Sequence, residues 1–373
     1  MKLLGSGVLV AGEAGTTMAC YTFPSVVALA DGTLLATARH GAGKDGDDDA
    51  IALFADGGDG RGWVPFAALP PSPVLEGRRG TLKLAYLTEL AEGQLLAAAM
   101  WVDRTSFPGQ PLFNEATEGC LPMAILLASS FDSGRTWTAW RQVKMPAELG
   151  PPSLTSPIFR LGDGRLAMSI ETNKTYLDSG KWDQKAVLLT SADEGETWSE
   201  PLVSAYDPHN RIFNWDLRIA AAPDGQVVSF AWTYDREAGA YCNIHRRVSQ
   251  NHGASWSAPE DIGIADQAGR PAILADGRMV LVWVDRFATR SIRVRSAEHV
   301  AAPLTEESEI VLHTLEPPPV TTGDGTLGAA LADMGLWSYG LPSATALPNG
   351  EVMVVYYAGE PDRMDIRWAR LSV

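Results

Sequence analysis

The stretch "ASSFDSGRTW" at residues 128–137 has two close relatives further along the chain, "TSADEGETW" at 190–198 and "VSQNHGASW" at 248–256. All three follow the pattern Ser-x-Asp/Asn-x-Gly-x-Thr/Ser-Trp. Ser and Asp side chains hydrogen-bond backbone amides in tight turns, and Gly supplies the left-handed conformation. The Trp that ends each copy can bury a large surface between neighbouring elements. The pattern therefore predicts a repeated structural turn, not a ligand site.

A second repeat surrounds these turns. Six times a β-rich run is followed by Asp, Glu or Asn, then Gly, and then another β-rich run, as in "PSVVALADGTLLATA" at 24–38. An acidic or amide residue followed by Gly, between apolar runs, is typical of a β-hairpin, because the tight turn needs a positive φ. The predicted turn glycines are Gly32, Gly93, Gly164, Gly225, Gly277 and Gly350.

The two repeats together predict the fold. The Ser-x-Asp/Asn turn follows the second, third and fourth hairpins, and a worn copy, "DGGDGRGW", follows the first and ends at Trp63. Each unit then contains a hairpin, a loop and two further strands joined by the turn, which makes four strands. We predict an all-β chain folded as a six-bladed β-propeller with four-stranded antiparallel blades, a single domain over residues 1–373.

Composition excludes several classes of partner. The 373 residues include 30 Lys and Arg against 45 Asp and Glu, a formal charge of −15, which disfavours nucleic acid and anionic membranes. The three Cys residues are far apart and the six His residues lack metal-ligand spacing, so we expect neither a disulfide framework nor a metal or cofactor. Two glycines and Glu13 interrupt the opening apolar segment, which predicts a strand instead of a signal peptide and a cytoplasmic location.

The motifs "SSFDSGRTW", "SADEGETW" and "SQNHGASW", together with the six hairpins, resemble those of the sialidase (neuraminidase) superfamily of Asp-box, or BNR-repeat, six-bladed propellers. The resemblance covers nearly the whole chain and implies a glycan-active enzyme. It also implies a catalytic Asp in the loop after the first hairpin, where Asp48 and Asp49 stand. A nucleophilic tyrosine is implied at the start of the last blade, close to Tyr339.

The candidate site lies in the loops that propeller topology gathers on one face around the axis. The richest of these is "ARHGAGKDGDDD" at 38–49, where Asp48 or Asp49 is a candidate general acid. The remaining candidate catalytic residues are Glu171, Asp216, Tyr339 and His40. The candidate substrate-binding residues are Arg39, Arg218, Arg270, Asp285, Arg286, Trp101 and Trp215.

One departure from the resemblance shapes the expected substrate. Sialidases hold the substrate carboxylate with three arginines, the first inside a Phe-Arg-Ile-Pro segment that here reads Tyr21-Thr22-Phe23-Pro24. Thr22 in place of that arginine removes a charge-assisted hydrogen bond of about 1.5–3 kcal/mol. We therefore expect an exo-acting glycoside hydrolase on a small glycan other than sialic acid, with acidic sugars among the candidates. The alternatives are a lyase on a uronic acid, with His40 or Tyr339 as base, and a non-catalytic carbohydrate-binding propeller.

Overall fold

The computed structural model describes residues 1–58, 60–315, 327–360 and 362–373, and its regular structure is almost entirely β-strand. The strands up to the second sheet are β1 (Lys2–Val10), β2 (Cys20–Ala28), β3 (Leu34–Gly41), β4 (Ala50–Asp56), β5 (Val64–Pro65), β6 (Gly80–Ala91), β7 (Gln94–Asp103), β8 (Met123–Ser130) and β9 (Arg141–Gln142). The next five are β10 (Ser153–Leu154), β11 (Phe159–Arg160), β12 (Leu166–Glu171), β13 (Lys185–Ser191) and β14 (Leu202–Tyr206).

The second half of the chain continues in the same way. Its strands are β15 (Ile212–Ala221), β16 (Val227–Asp235), β17 (Ala240–Tyr241), β18 (His245–Ser249), β19 (Glu260–Asp261), β20 (Gln267–Ala268), β21 (Ala272–Ile273), β22 (Met279–Asp285), β23 (Ser291–Ala297) and β24 (Ile310–Thr314). After the short helix α1 (Leu327–Asp333) come β25 (Tyr339–Ala346), β26 (Glu351–Glu360) and β27 (Arg363–Ser372). Among the described residues, no helix is long and apolar enough to cross a membrane.

These strands form sheets in which sequential strands pair antiparallel. One sheet has the order β6-β7-β8-β9, and three more are built around β12-β13-β14, β15-β16-β18-β19 and β22-β23-β24. The largest sheet runs β25-β26-β27-β2-β3-β4-β5, with β1 paired to β27. Its two halves are joined by a single parallel bridge between Cys20 and Met364.

The sheets follow one another in a closed ring. The strand β2 contacts β6 of the next sheet, β7 contacts β10, β12 contacts β15, and β15 contacts β20. The ring continues from β22 to β25 and closes where β25 contacts β2. The described residues therefore form an all-β, propeller-like fold whose first strands surround a common centre.

The hairpin prediction is confirmed at the turn residues. All six predicted glycines have a positive φ, between 74° and 90°. Each lies between two antiparallel strands whose buried apolar residues fill the space between sheets. Gly fits these turns because the left-handed region is costly for residues with a Cβ.

The repeated Ser-x-Asp/Asn turns hold the backbone as expected. In the first copy, Ser130 Oγ donates to Asp132 and accepts from the Gly134 amide at 2.9 Å, while Asp132 accepts the Thr136 amide at 2.8 Å. The copies at 190–198 and 248–256 repeat these bonds. The half-buried Trp137 packs against the apolar core between the first two sheets. The turns therefore couple one sheet to its predecessor.

Several first strands contain a one-residue bulge that matters for the site. The register with the second strand shifts between Thr22 and Ser25, between Leu82 and Leu84, and again in two later sheets. Such a bulge re-aims the side chain of the extra residue. In the second sheet that residue is Lys83, and in the fourth the bulge includes Asp216, which has a φ of 47°.

Replacing Ser130 by Ala tests the structural role of the turn. We expect the free energy of unfolding to fall by about 1–3 kcal/mol, because the buried Gly134 amide loses its acceptor. The matched control is Ser133→Ala in the same turn, since the Ser133 hydroxyl makes no hydrogen bond within the described residues. Urea unfolding of both variants measures the difference, and equal stabilities would contradict the assigned role.

Candidate active site

Two acidic side chains from neighbouring sheets meet near the centre of the ring. Glu171 is the last residue of β12, and Asp216 lies at the bulge of β15. The Leu217 amide donates to Glu171 Oε1 at 2.9 Å, which holds the Glu171 carboxyl beside the Asp216 backbone. Asp216 Oδ2 accepts from Arg218 Nη2 at 2.6 Å and from Gln267 Nε2 at 2.5 Å. We call these four residues, Glu171, Asp216, Arg218 and Gln267, the carboxyl cluster.

The two carboxyl groups lie in different electrostatic environments. Glu171 is 7% exposed and has no ion pair among the described residues, whereas Asp216 is paired with Arg218. Burial, and next the charge of Asp216, raise the pKa of Glu171 to about 8. At neutral pH the cluster therefore contains one protonated carboxyl that can donate a proton, next to a carboxylate held by a guanidinium.

Two further cations surround the carboxyl cluster. The buried Arg286 donates to Asp266 Oδ2 at 2.9 Å and to Gln267 Oε1 at 2.6 Å. Its guanidinium carbon lies 4.0 Å from the centroid of the Trp337 ring. Arg286 therefore orients Gln267, which in turn binds Asp216. Arg270 has no carboxylate within 4.0 Å among the described residues.

The contacts of Arg270 leave part of its hydrogen-bonding capacity unused. Arg270 Nη1 donates to Val26 O at 3.4 Å, and Arg270 interacts electrostatically with the phenol of Tyr86. Tyr86 in turn accepts from Arg218 Nη1 at 3.3 Å. Burial lowers the pKa of Arg270 to about 10, so the group still carries its charge at neutral pH.

A second group of charges lies on the loop after the first hairpin. The side chain of Asp49 is fully buried and pairs with Arg39, with Lys83 Nζ at 3.8 Å and with Arg104 Nη2 at 3.6 Å. Asp45 pairs with the same Lys83, at 2.8 Å, and with Arg104. We call Arg39, Asp45, Asp49, Lys83 and Arg104 the loop cluster. Burial lowers the pKa of Lys83 to about 7 although Asp45 opposes this shift.

The same loop reaches the last sheet through Lys44. Lys44 Nζ donates to Met334 O and to Trp337 O, both at 2.6 Å, and lies 3.3 Å from the Tyr357 hydroxyl. Lys83 Nζ donates to Lys44 O at 2.8 Å. Residues 42–49 therefore cross the mouth of the ring from the first sheet to the second and the last.

The structure brings most of the charged candidates together. Glu171, Asp216 and Arg218 belong to the carboxyl cluster, with Arg286 bound to it through Gln267 and Arg270 near it through Tyr86. Arg39 and Asp49 belong to the loop cluster, where their mutual ion pair leaves neither group exposed. Asp48 is exposed and accepts the Ala42 amide at 2.9 Å.

Three candidates lie away from both clusters. His40 faces the opposite side of β3 from Arg39, with Nδ1 3.2 Å from Thr17 O. Trp101 is a core residue of the second sheet whose indole donates to Pro73 O. Asp285 binds the backbone amides of Ala288 and Thr289, both at 2.9 Å, and so fixes a turn.

Two aromatic candidates lie inside packed clusters. Trp215 stacks on Tyr234 with ring centroids 5.2 Å apart. Tyr339 is fully buried beside His313, with centroids 5.5 Å apart, and its hydroxyl has no hydrogen-bond partner among the described residues. Burial raises the pKa of Tyr339 to about 12, so its phenol stays protonated.

Several residues of the site were not singled out from the sequence. Lys83 and Tyr86 lie in the apolar run "TLKLAYL", and Lys44, Gln267 and Tyr357 complete the contacts between loop and sheets. The signal for Lys83 is its charge inside a strand that is otherwise buried. Tyr86 and Tyr357 carry no such signal, because a tyrosine in an apolar strand resembles any core residue.

Within the described residues, no three His, Cys, Asp or Glu side chains come together as metal ligands would. The carboxylates of both clusters are instead neutralised by arginine and lysine side chains.

Comparison with known proteins places this architecture among sialidase-like folds. No protein-family model matches the chain. A sialidase from Micromonospora viridifaciens is 26% identical over 273 residues, which is 64% of this chain and only 38% of the length of that relative.

Solved structures match over the full chain. A protein of unknown function from Dyadobacter fermentans has a TM-score of 0.72 at 19% identity and covers 100% of this chain and 99% of its own. The intramolecular trans-sialidase from Ruminococcus gnavus has a TM-score of 0.63 at 13% identity, covering 100% and 98%. The α-L-arabinanase from Penicillium chrysogenum, complexed with arabinobiose, has 0.64 at 14% identity, covering 100% and 99%. The chain therefore has a sialidase-like, propeller-like fold that glycan-active hydrolases share.

The raised pKa of Glu171 predicts a pH-dependent stability. Its folded value of about 8 exceeds the usual 4.5, so the folded protein binds an extra proton between these pH values. The contribution of Glu171 to stability is then greatest below pH 4.5, falls as pH rises and levels off above about 8, a loss on the order of a few kcal/mol. Glu171→Gln mimics the protonated form and should remove this slope in urea unfolding at pH 5, 7 and 9. An unchanged slope would contradict the assignment.

Proposed function

We propose that the protein is an exo-acting glycoside hydrolase that cleaves a sugar other than sialic acid from a small glycan. The observation that carries the proposal is the carboxyl cluster, in which a protonated Glu171 lies beside Asp216, a carboxylate paired with Arg218. Two carboxyl groups whose environments separate their protonation states are the arrangement that glycoside hydrolysis uses.

We propose the complete fold to be a single six-bladed propeller that carries this site. The single bridge between Cys20 and Met364 supports treating the large sheet as two blades, β2-β3-β4-β5 and β25-β26-β27-β1. The other sheets supply the remaining four blades. The Ser-x-Asp/Asn turns then correspond to the Asp boxes of the sialidase superfamily.

In this reaction Glu171 gives its proton to the oxygen of the leaving group while the bond from that oxygen to the anomeric carbon breaks. Asp216 then acts either as the base that takes a proton from the attacking water, or as the nucleophile that forms a glycosyl ester, which water hydrolyses while the deprotonated Glu171 takes the proton of that water. Arg218 and Gln267 hold Asp216 Oδ2 in a fixed position, so the carboxylate is oriented before the substrate binds.

The surrounding groups support an acidic sugar bound by its end. Arg270 offers a charged guanidinium with no carboxylate partner among the described residues, which suits a substrate carboxylate. Residues 42–49 cross one side of the mouth. This position favours binding of the end of a glycan over binding of a glycan that runs across the ring. Elimination has less support, because His40 Nδ1 faces Thr17 O and the buried Tyr339 phenol, with its pKa raised to about 12, stays protonated.

Carboxamide variants test the assignment of the catalytic acid. We expect Glu171→Gln to lower kcat/KM by about 100- to 10,000-fold, the range that general acid catalysis contributes. In the wild type, kcat/KM should fall as pH rises through about 8, because Glu171 must be protonated. Asp48→Asn changes an exposed carboxylate of the segment 42–49, and we expect this control variant to retain activity.

The substrates for this measurement are a panel of aryl-glycosides and small oligosaccharides, including uronosides, with release of the aglycone or a reducing end as the readout. Loss of activity in Asp48→Asn together with full activity in Glu171→Gln would reverse the assignment. Binding of glycans without turnover by the wild type would make the protein a carbohydrate-binding propeller instead.

Arg270→Gln tests the proposed contact with a substrate carboxylate. We expect kcat/KM on a uronoside to fall by about 10- to 100-fold, since a charge-assisted hydrogen bond is lost, with little change on the matching neutral hexoside. The measurement is the ratio of the two kcat/KM values in wild type and variant. An equal loss on both substrates would mean that Arg270 supports the fold and not the carboxylate.

A further inference from the structure

A pocket opens among loops of the second, third and fourth sheets, and none of its lining residues belongs to the carboxyl cluster. It has a volume of about 550 Å³ and is lined by charged residues from four separate segments. Four of these residues are basic and two are acidic. We call it the cation pocket, and its charged lining is Lys174, Lys181, Arg211, Arg236, Glu118 and Glu237.

The charge of this pocket is opposite to that of the whole chain. Four cations and two carboxylates give the lining a charge of +2 with His209 neutral, and Asp235, which pairs with Arg211 just behind it, lowers the local excess to +1, whereas the chain carries −15. A local excess of cations in a concave site concentrates the field and attracts anions. The pocket therefore suits a negatively charged ligand.

Arg211 is paired with Asp235 and Glu237, whereas the other three cations have only one carboxylate between them in the part of the chain that the structure describes. Lys174 is 7% exposed, and its Nζ donates to Gly180 O at 2.7 Å and lies 3.8 Å from Glu118 Oε2. Arg236 Nη2 binds the same Glu118 at 2.9 Å. One carboxylate thus serves two cations, and the exposed Lys181 has no ion pair within 4.0 Å among the described residues.

The backbone around the pocket is also unusual. Glu118 has a φ of 62° and Asn210 a φ of 53°, which place both in the left-handed region. For a residue such as Glu this conformation costs free energy, which contacts with the surrounding residues must offset. Glu118 is held there by Lys174 and Arg236, so the strained turn and the two cations form one unit.

The pocket and the carboxyl cluster lie along the same strand. Arg211 immediately precedes β15, and Asp216 lies five residues further on, a separation of roughly 16 Å for an extended chain. The aromatic residues Phe213 and Trp215 occupy the space between, with ring centroids 5.7 Å apart, and Arg236 lies over the Phe213 ring. This separation is within the length of an oligosaccharide of a few residues, whose path would run over the buried aromatic side chains and not between them.

We infer that the cation pocket binds a carboxylate or sulfate group on a sugar residue remote from the cleaved bond, so that the substrate is an acidic oligosaccharide. This inference rests on the proposed function, which places glycoside hydrolysis at the carboxyl cluster. It adds that the sugar residues remote from the cleaved bond carry an anionic group. The anion displaces or shares Glu118 as partner of Lys174 and Arg236, and Lys181 supplies a further hydrogen-bond donor.

Binding experiments on the full chain in the Glu171→Gln background test this without hydrolysis. The probes are trigalacturonate and its methyl ester, and a κ-carrageenan tetrasaccharide and its desulfated form, so that each anionic probe has a neutral match. The pocket variant is Lys181→Glu with Arg236→Gln. The matched control is Arg165→Gln. It removes a similarly exposed arginine whose ion pair with Asp163 lies in the Gly164 hairpin turn, outside the pocket.

We expect an anionic probe to bind at least tenfold more tightly than its neutral match, by calorimetry at low salt. The pocket variant should lower that affinity by about 10- to 100-fold, while Arg165→Gln leaves it unchanged. The carboxylate and sulfate probes separate the two sources of charge. Equal affinity for charged and neutral probes, or an unchanged affinity in the pocket variant, would overturn the inference.

Turnover separates this result from the proposed function. Anion binding that depends on Lys181 and Arg236, without hydrolysis by the wild type, would keep the pocket and reject the hydrolase. Hydrolysis that depends on Glu171, with affinity indifferent to the pocket variant, would keep the hydrolase and reject the pocket. Circular dichroism and urea unfolding of the pocket variant exclude loss of fold as the cause of weaker binding.

Discussion

The bulge in the inner strands is the constraint from which the site follows. A regular strand would send Asp216 into the packing between sheets or leave it in line with its neighbours, where a charge is costly. The extra residue in β15 turns the Asp216 side chain towards Arg218 and Gln267, and the bulge in β6 turns Lys83 towards Asp45. Because the sheets are arranged in a ring, the bulges of different sheets lie near the same centre and their charged side chains can contact one another.

The two clusters use the same kind of residue for opposite purposes. Asp49 is buried among Arg39, Lys83 and Arg104, so its charge is compensated and it acts as an anchor for the loop. Glu171 is equally buried but has no cation within ion-pair distance among the described residues, and it therefore keeps its proton. At similar burial, the presence or absence of a neighbouring cation separates the ion-paired Asp49 from the protonated Glu171.

Much of the fold could be predicted from the sequence, because its signals are local. The Asp-Gly turns need glycine at a fixed position, and the Ser-x-Asp/Asn turns carry their own hydrogen-bond partners, so both act within a few residues. The closure of the ring and the positions of the site residues depend on contacts between sheets. Glu171 and Asp216 could be found because they are charges at or within apolar strands. Tyr339 and Trp101 resemble site residues by type, yet their side chains point into the core.

The direction of these two side chains follows from the alternation of side chains along a strand. Each residue faces the opposite side from its neighbour, and a one-residue bulge reverses the pattern for everything beyond it. No local sequence signal marks the bulge between Gly340 and Ser343, so the direction of Tyr339 could not be read from the chain. The position of the loop 42–49 could not be predicted for a different reason. Lys44 donates to two carbonyl groups that are nearly three hundred residues away in the sequence.

The pairing of β1 with β27 has a consequence for how the molecule assembles. Lys2 lies opposite Ser372 and Val10 opposite Ile366, so the first strand pairs with the last strand of the described chain. Closing so long a loop has a large entropic cost that only the finished sheet offsets. Long-range contacts of this kind slow folding. Until β27 is in position, the backbone edge of β1 is open to solvent and to other chains, which makes ring closure the step most exposed to misassembly.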